Sequence, residues 1–166
     1  MTVLLRTLEP DEWHAYKALR LRALRDSPEA FSSTWEVTRQ YPDEEWQARL
    51  SRVAADTDLP LVVEEDGVLL GLLWGRIEQD RRIAQLYQMW VAPECRGRGF
   101  GRRLMDAALA WAGGQGVQRI LLGVTDGDRP ARRLYESVGF VALDETEPLR
   151  EDSDLLVRTM EYRGSS

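Results

Sequence analysis

Residues 96–104 read RGRGFGRRL: Arg96, Gly97, Arg98, Gly99, Phe100, Gly101, Arg102, Arg103 and Leu104. Alternate glycines with arginines between them suit a flexible basic linker, a nucleic-acid tail, or a phosphate cradle built into a fold. The flanking residues choose among these. Ile83–Val91 (IAQLYQMWV) ahead of the run has the aromatic and β-branched content of a strand, and Pro93 ends it. Behind it, Leu104, Met105, Ala108, Trp111 and Ala112 fall on one face of a helix that Gly113-Gly114 is expected to stop. A strand, a glycine turn and a helix start together form an anion site, because the first helical amides lack partners and the dipole places partial positive charge there. Glycines admit positive φ and close backbone approach, and arginines bind phosphate in bidentate fashion. The spacing G-x-G-x-G is neither the dinucleotide fingerprint nor a nucleotide P-loop. On this segment alone, a tight turn with solvated arginines stays open.

A chain of 166 residues, with 43% apolar and 30% charged residues, suits one folded domain with a sizeable core. The net charge of −6 makes the basic run a local exception on an acidic body, which argues against a general nucleic-acid partner. No apolar run is long enough to span a membrane, and the N-terminus MTVLLRTLEPDEW lacks signal-peptide character. Cys95 is the single cysteine, so no internal disulfide forms. These features together predict a cytoplasmic protein. His14 is the single histidine and offers no metal cluster, so no metal is expected. The expected organisation is one domain over residues 1–163 and a short tail over 164–166.

Outward from the glycine run, Val3–Leu8 reads as a strand, Pro10 to about Arg25 as a helix, and Pro42 onward as a second helix carrying Trp46, Leu50 and Val53. Between the helices lies a loop, partly helical, with Phe31, Trp35 and Tyr41 embedded in it. Leu59–Glu65, an Asp66-Gly67 turn and Val68–Ile77 form a hairpin. Ile83–Val91 adds a third antiparallel strand. After the glycine-led helix, Val117–Val124 needs a crossover and is therefore parallel to the strand before it. A helix over Arg129–Val138, then strands Phe140–Leu143 and Leu155–Tyr162, complete the chain. The order β-α-α-β-β-β-α-β-α-β-β predicts an α/β fold of α+β type, with a mostly antiparallel seven-stranded sheet and about four helices.

Arg96-x-x-Gly99-x-Gly101 matches the [QR]-x-x-G-x-[GA] signature of the GCN5-related N-acetyltransferases, and DRPARRLYESVGF (128–140) resembles that family's second motif, N-x-x-A-x-x-L-Y-x-x-x-G-F. The element order agrees as well, so the chain resembles this GNAT family over essentially its whole length. The resemblance implies an acetyl-CoA-dependent N-acetyltransferase acting by direct attack of a primary amine, of a small molecule or peptide, in a ternary complex. A non-catalytic acyl-CoA-binding module of the same fold is the alternative. Acetyl-CoA and an amine acceptor are the implied partners, with neither nucleic acid nor membrane, and a homodimer is left open.

Carried onto this sequence, the resemblance assigns the backbone of Met89, Trp90 and Val91 to the pantetheine arm. It assigns the Arg96–Arg102 segment (Arg96, Gly97, Arg98, Gly99, Phe100, Gly101 and Arg102) to the pyrophosphate. The ring of Trp90 is expected in the core. Asp128 stands where relatives usually carry asparagine. It either contacts the coenzyme or caps the helix that follows. Tyr135 corresponds to the tyrosine near the coenzyme sulfur, a general acid for the departing thiolate. The position at which some relatives carry a basic glutamate holds Gln85, which cannot act as a base. Glu78, Glu36 or water reached through Gln85 and Tyr87 remain as base candidates. The acceptor site is expected around Phe31, Trp35, Glu36 and Gln85, and the acids of the final hairpin, LDETEPLREDSD, either form a solvated acidic loop, the favoured reading, or attract an amine.

Overall fold

The computed structural model describes residues 2–54 and 56–164. Ser165 and Ser166 of the expected tail lie outside the described residues. Seven strands form one sheet in the order β1-β2-β3-β4-β5-β7-β6, where β1 is Val3–Thr7, β2 Asp58–Glu65, β3 Val68–Ile77, β4 Ile83–Val91, β5 Arg119–Thr125, β6 Phe140–Pro148 and β7 Leu156–Tyr162. Every neighbouring pair is antiparallel except β4 and β5, which the crossover makes parallel. The helices are α1 (Trp13–Asp26), α2 (Trp35–Thr38), α3 (Asp43–Ser51), α4 (Phe100–Gly114) and α5 (Arg129–Ser137).

The central strand explains the layering. β3 reads VLLGLLWGRI, a nearly unbroken apolar run, because both of its faces are covered. On one face Trp74 meets Tyr16 of α1, with ring centroids 5.5 Å apart, and Tyr16 in turn meets Trp46 of α3 edge-on at 5.7 Å. On the other face α4 lies so close that a Cβ on Gly75 would stand 2.9 Å from the Trp111 ring. Leu104, Met105, Ala108 and Ala112 of α4 are buried there, as their spacing predicts. The result is a helix–sheet–helix sandwich. No helix among the described residues is long and apolar enough to cross a membrane.

The aromatic loop is partly helical, as expected: it contains one helical turn, α2, capped by Thr34 Oγ1 accepting from the Val37 amide at 3.3 Å, which makes five α-helices among the described residues. Two boundaries differ from expectation. Helix α4 runs through Gly113-Gly114, and the chain turns at Gly116, whose φ is +75°. Two glycines in a helix cost about 2 kcal/mol relative to alanine, and the buried apolar face of α4 outweighs that. Strand β6 continues to Pro148, well past Leu143. Its acids carry poor strand propensity, but Thr146, Glu147 and Pro148 pair with Arg158, Val157 and Leu156 of β7, and the shared ladder overrides the side chains.

Candidate active site

Strands β4 and β5 start side by side and then part. Their register runs from Ile83↔Arg119 to Leu86↔Leu122 and stops. Beyond it β5 stays with β7, through Gly123↔Thr159 to Thr125↔Val157, while β4 stays with β3. A bulge promotes the divergence: between Leu72↔Trp90 and Trp74↔Tyr87 one β3 residue faces two of β4, and Gln88 adopts a left-handed φ of +62°. The gap opens into a cavity of about 860 Å³ lined in part by Gln85, Met89, Asp128 and Tyr135.

At the far end of β4 the chain passes Pro93–Cys95, a single 3-10 turn, and enters the glycine run. Gly97 and Gly99 have φ of +84° and +82°, a region costly for residues with a Cβ. A Cβ on either would meet nothing within 4 Å, so these glycines serve conformation and leave an open face over the first amides of α4. Gly101 differs, because a Cβ there would lie 3.1 Å from Leu134 Cδ2 and 3.2 Å from Met89 Cε. It lets α5 and the β4 side chain close on α4. The turn follows β4 directly and leaves the first amides of α4 open, the arrangement that suits an anion, although none of residues 96–102 is in the cavity lining.

Three arginines of the run already have protein partners. Arg96 donates through Nη2 to Asp26 Oδ2 at 2.9 Å and through Nε to the Val91 carbonyl at 3.1 Å. Trp90, buried as expected, donates its indole Nε1 to the same Asp26 oxygen at 3.0 Å. Burial pushes the Asp26 carboxyl up, but the bonds from Ser27, Trp90 and Arg96 outweigh it and hold the group below the usual range. Arg98 makes a bidentate contact with Glu65, at 3.1 and 2.5 Å, and its guanidinium lies 4.7 Å over the Phe100 ring. Arg102 stands 3.5 Å from Asp106 one turn along α4. Arg96 and Arg98 thus brace the turn.

Tyr135 is 7% exposed and lines the cavity. Burial raises its phenol far above the usual value, and the Asp128 charge adds to this. Asp128 takes the capping role, its Oδ1 accepting from the Ala131 amide at 3.2 Å, and it also lines the cavity. Gln85 faces the cavity with Nε2 donating to Glu78 Oε1 at 3.0 Å, which leaves its own carbonyl oxygen as an acceptor. Glu78 itself is not in the lining. Phe31 is buried against the cavity. Trp35 stands apart from it, between the guanidinium groups of Arg25 and Arg39 at 4.7 and 4.8 Å, and Glu36 is exposed on α2. Sequence reasoning passed over Tyr16 and Arg20, both in the lining. The available signal was a charged residue, Arg20, at a core-facing position of α1. Among the described residues no group of three or more His, Cys, Asp or Glu side chains is placed to hold a metal ion.

The parted parallel pair followed by a left-handed glycine turn is a specific arrangement, and comparison with known proteins places the fold. The chain belongs to the acetyltransferase (GNAT) family, whose model matches residues 20–140. It is 37% identical over 145 residues to the mycothiol acetyltransferase of Thermobispora bispora, covering 83% of this chain and 46% of that protein. The chain therefore spans less than half the length of that curated relative. The fold is shared with a GNAT-family acetyltransferase from Streptococcus pneumoniae, with a TM-score of 0.84 at 22% identity over 96% of this chain and 98% of that one. It is shared also with a Salmonella typhimurium structure that includes its cofactor acetyl-CoA, with a TM-score of 0.80 at 18% identity over 100% of this chain and 96% of that one.

Proposed function

We propose that the chain is an acetyl-CoA-dependent N-acetyltransferase that acetylates a primary amine of a small molecule or peptide by direct attack in a ternary complex. The observation that carries this is the parting of β4 from β5 after Leu86↔Leu122, with Tyr135 in the lining of the gap. The left-handed glycine turn follows β4.

Acetyl-CoA, when bound, supplies an acetyl group activated as a thioester. The chain's own groups do the rest. The backbone of Met89, Trp90 and Val91, left by β5, offers an edge to the pantetheine amides in the manner of an added strand. The amides from Gly97 to Arg102 hold the pyrophosphate. A β4 amide near the bulge polarises the thioester carbonyl. Tyr135 donates a hydrogen bond to the departing sulfur. An ordinary tyrosine is already about 1.5 units less acidic than a thiol, and burial widens that gap, so water completes the protonation. Gln85 offers its free carbonyl oxygen to an N–H of the acceptor. Glu78 orients Gln85, and the acceptor's proton leaves to water, since an alkylammonium near pKa 10 must lose it before attack.

Thiol release from acetyl-CoA across a panel of amines, amino acids, peptides and mycothiol-related amines tests the reading. Turnover on at least one amine, with acetyl recovered on nitrogen, is the expected result. Coenzyme binding without turnover on any amine would favour the acyl-CoA-binding module, a reading supported by the neutral Gln85 where an acid base would stand.

A further inference from the structure

Helix α1 places Tyr16 and Arg20 on one face, a turn apart. The Tyr16 hydroxyl donates to Gln88 Oε1 at 2.9 Å and so fixes this part of α1 against the β4 bulge. Arg20 then stands roughly 6 Å further along the helix, in the lining of the same cavity. Only 5% of it is exposed, its guanidinium lies 4.6 Å over the Phe31 ring, and its Nη1 has no hydrogen-bond partner among the described residues. No carboxylate is among the groups that act on it, although Glu145 and Glu147 line the same cavity. Burial, reinforced by Arg49, lowers its pKa to about 10, which still leaves it a cation at neutral pH.

A buried cation with an open donor and no countercharge is costly. The wall beside it is fixed. Arg150 Nη2 donates to the carbonyls of Pro28 and Phe31 at 2.6 and 2.9 Å, and Thr125 Oγ1 donates to that of Glu29 at 2.7 Å. Arg49 also lines the cavity, and its approach to Glu45, at 3.6 Å, is too long for a hydrogen bond.

We propose that Arg20, assisted by Arg49, is a carboxylate subsite in the acceptor half of the cavity, and that the acceptor is an amine that also carries a carboxylate, as an amino acid does. The guanidinium fork matches a carboxylate in shape, and a single buried positive charge balances one monoanion better than a phosphate dianion. The proposal rests on the acetyltransferase reading for the identity of the cavity's ligand.

The test measures acetyl-CoA-dependent thiol release for amino acids, their amides and the corresponding decarboxylated amines, in the native chain and in Arg20→Gln. Native kcat/KM is expected to favour the acid over its amide by about tenfold to a hundredfold, mainly through KM. That ratio is expected to collapse toward unity in Arg20→Gln while coenzyme affinity is unchanged. Equal use of acid and amide, a ratio that survives Arg20→Gln, or preference for O-phosphoethanolamine over β-alanine overturns the proposal. Should no amine be acetylated, the acetyltransferase reading fails separately. The subsite is then read by titrating the same amino acids into the coenzyme A-saturated protein. Binding weakened at least about tenfold by Arg20→Gln upholds it, and no binding or equal binding overturns it. If Arg20→Gln does not fold, Arg49→Gln replaces it, and an acid-to-amide ratio left unchanged there overturns the proposal.

Discussion

A phenol whose pKa burial has pushed far up stays protonated across the working range, so Tyr135 can donate a hydrogen bond but does not titrate there. Tyr135→Phe is expected to lower kcat by about tenfold to a thousandfold with little change in the KM for acetyl-CoA, as steady-state kinetics will show. The pH–rate profile should rise toward the pKa of the acceptor ammonium, without an alkaline fall from Tyr135 below about pH 10. Glu78 lies outside the cavity lining and accepts a hydrogen bond from Gln85, and the proposed mechanism gives it a positioning role. Glu78→Gln is expected to cost less than about tenfold in kcat/KM and to leave the pH profile in place, and a loss of the acid limb would reinstate Glu78 as the base. The positions of Tyr135, Trp90 and the glycines were legible because they fall in or beside the two short motifs on which the family resemblance rests. Arg20 and Tyr16 were not, because which face of α1 meets a cavity depends on where β4 bends.

Asp26 ties three elements together. It ends α1, and one of its oxygens receives both Trp90 of β4 and Arg96 of the glycine turn. Asp26→Ala leaves a buried indole N–H without its acceptor and is expected to cost about 1–3 kcal/mol in urea unfolding, with weaker coenzyme binding as the turn loosens. The carboxyl is held below its usual value, so its contribution is complete above the ordinary pKa of about 4 and is lost as pH falls through the lower folded value. The native chain should therefore lose more stability than Asp26→Ala when acidified below about pH 4. The α4–α5 contact makes a second demand. Gly101→Val would press on Leu134 and Met89 and is expected to cost about 1–3 kcal/mol. Strand and helix identities were legible from hydrophobic period, whereas their ends were not. The ladder to β7 carried β6 to Pro148, and tertiary burial carried α4 through two glycines.

Across the whole molecule, acidic residues outnumber basic ones, and the cavity lining carries both signs: Arg20, Arg49, Arg52 and Arg76 with Asp128, Glu145 and Glu147. The order of elements and the single parallel pair could be read from the sequence, because a crossover helix permits no tight turn. The cavity itself could not, since it arises where two strands diverge, and neither strand announces that alone. Coenzyme that binds only the folded state should raise the unfolding free energy by about 2.7 kcal/mol at a hundredfold excess over Kd. The most direct measurement is a calorimetric titration of acetyl-CoA into the native chain and into Gly99→Glu, with urea unfolding of both. The account predicts one saturable site in the native chain, competed by coenzyme A. In Gly99→Glu the site should be lost, because a side chain at φ +82° and a negative charge occupy the open face, while cooperative unfolding persists. Undiminished binding in Gly99→Glu, or no binding to the native chain, would contradict it.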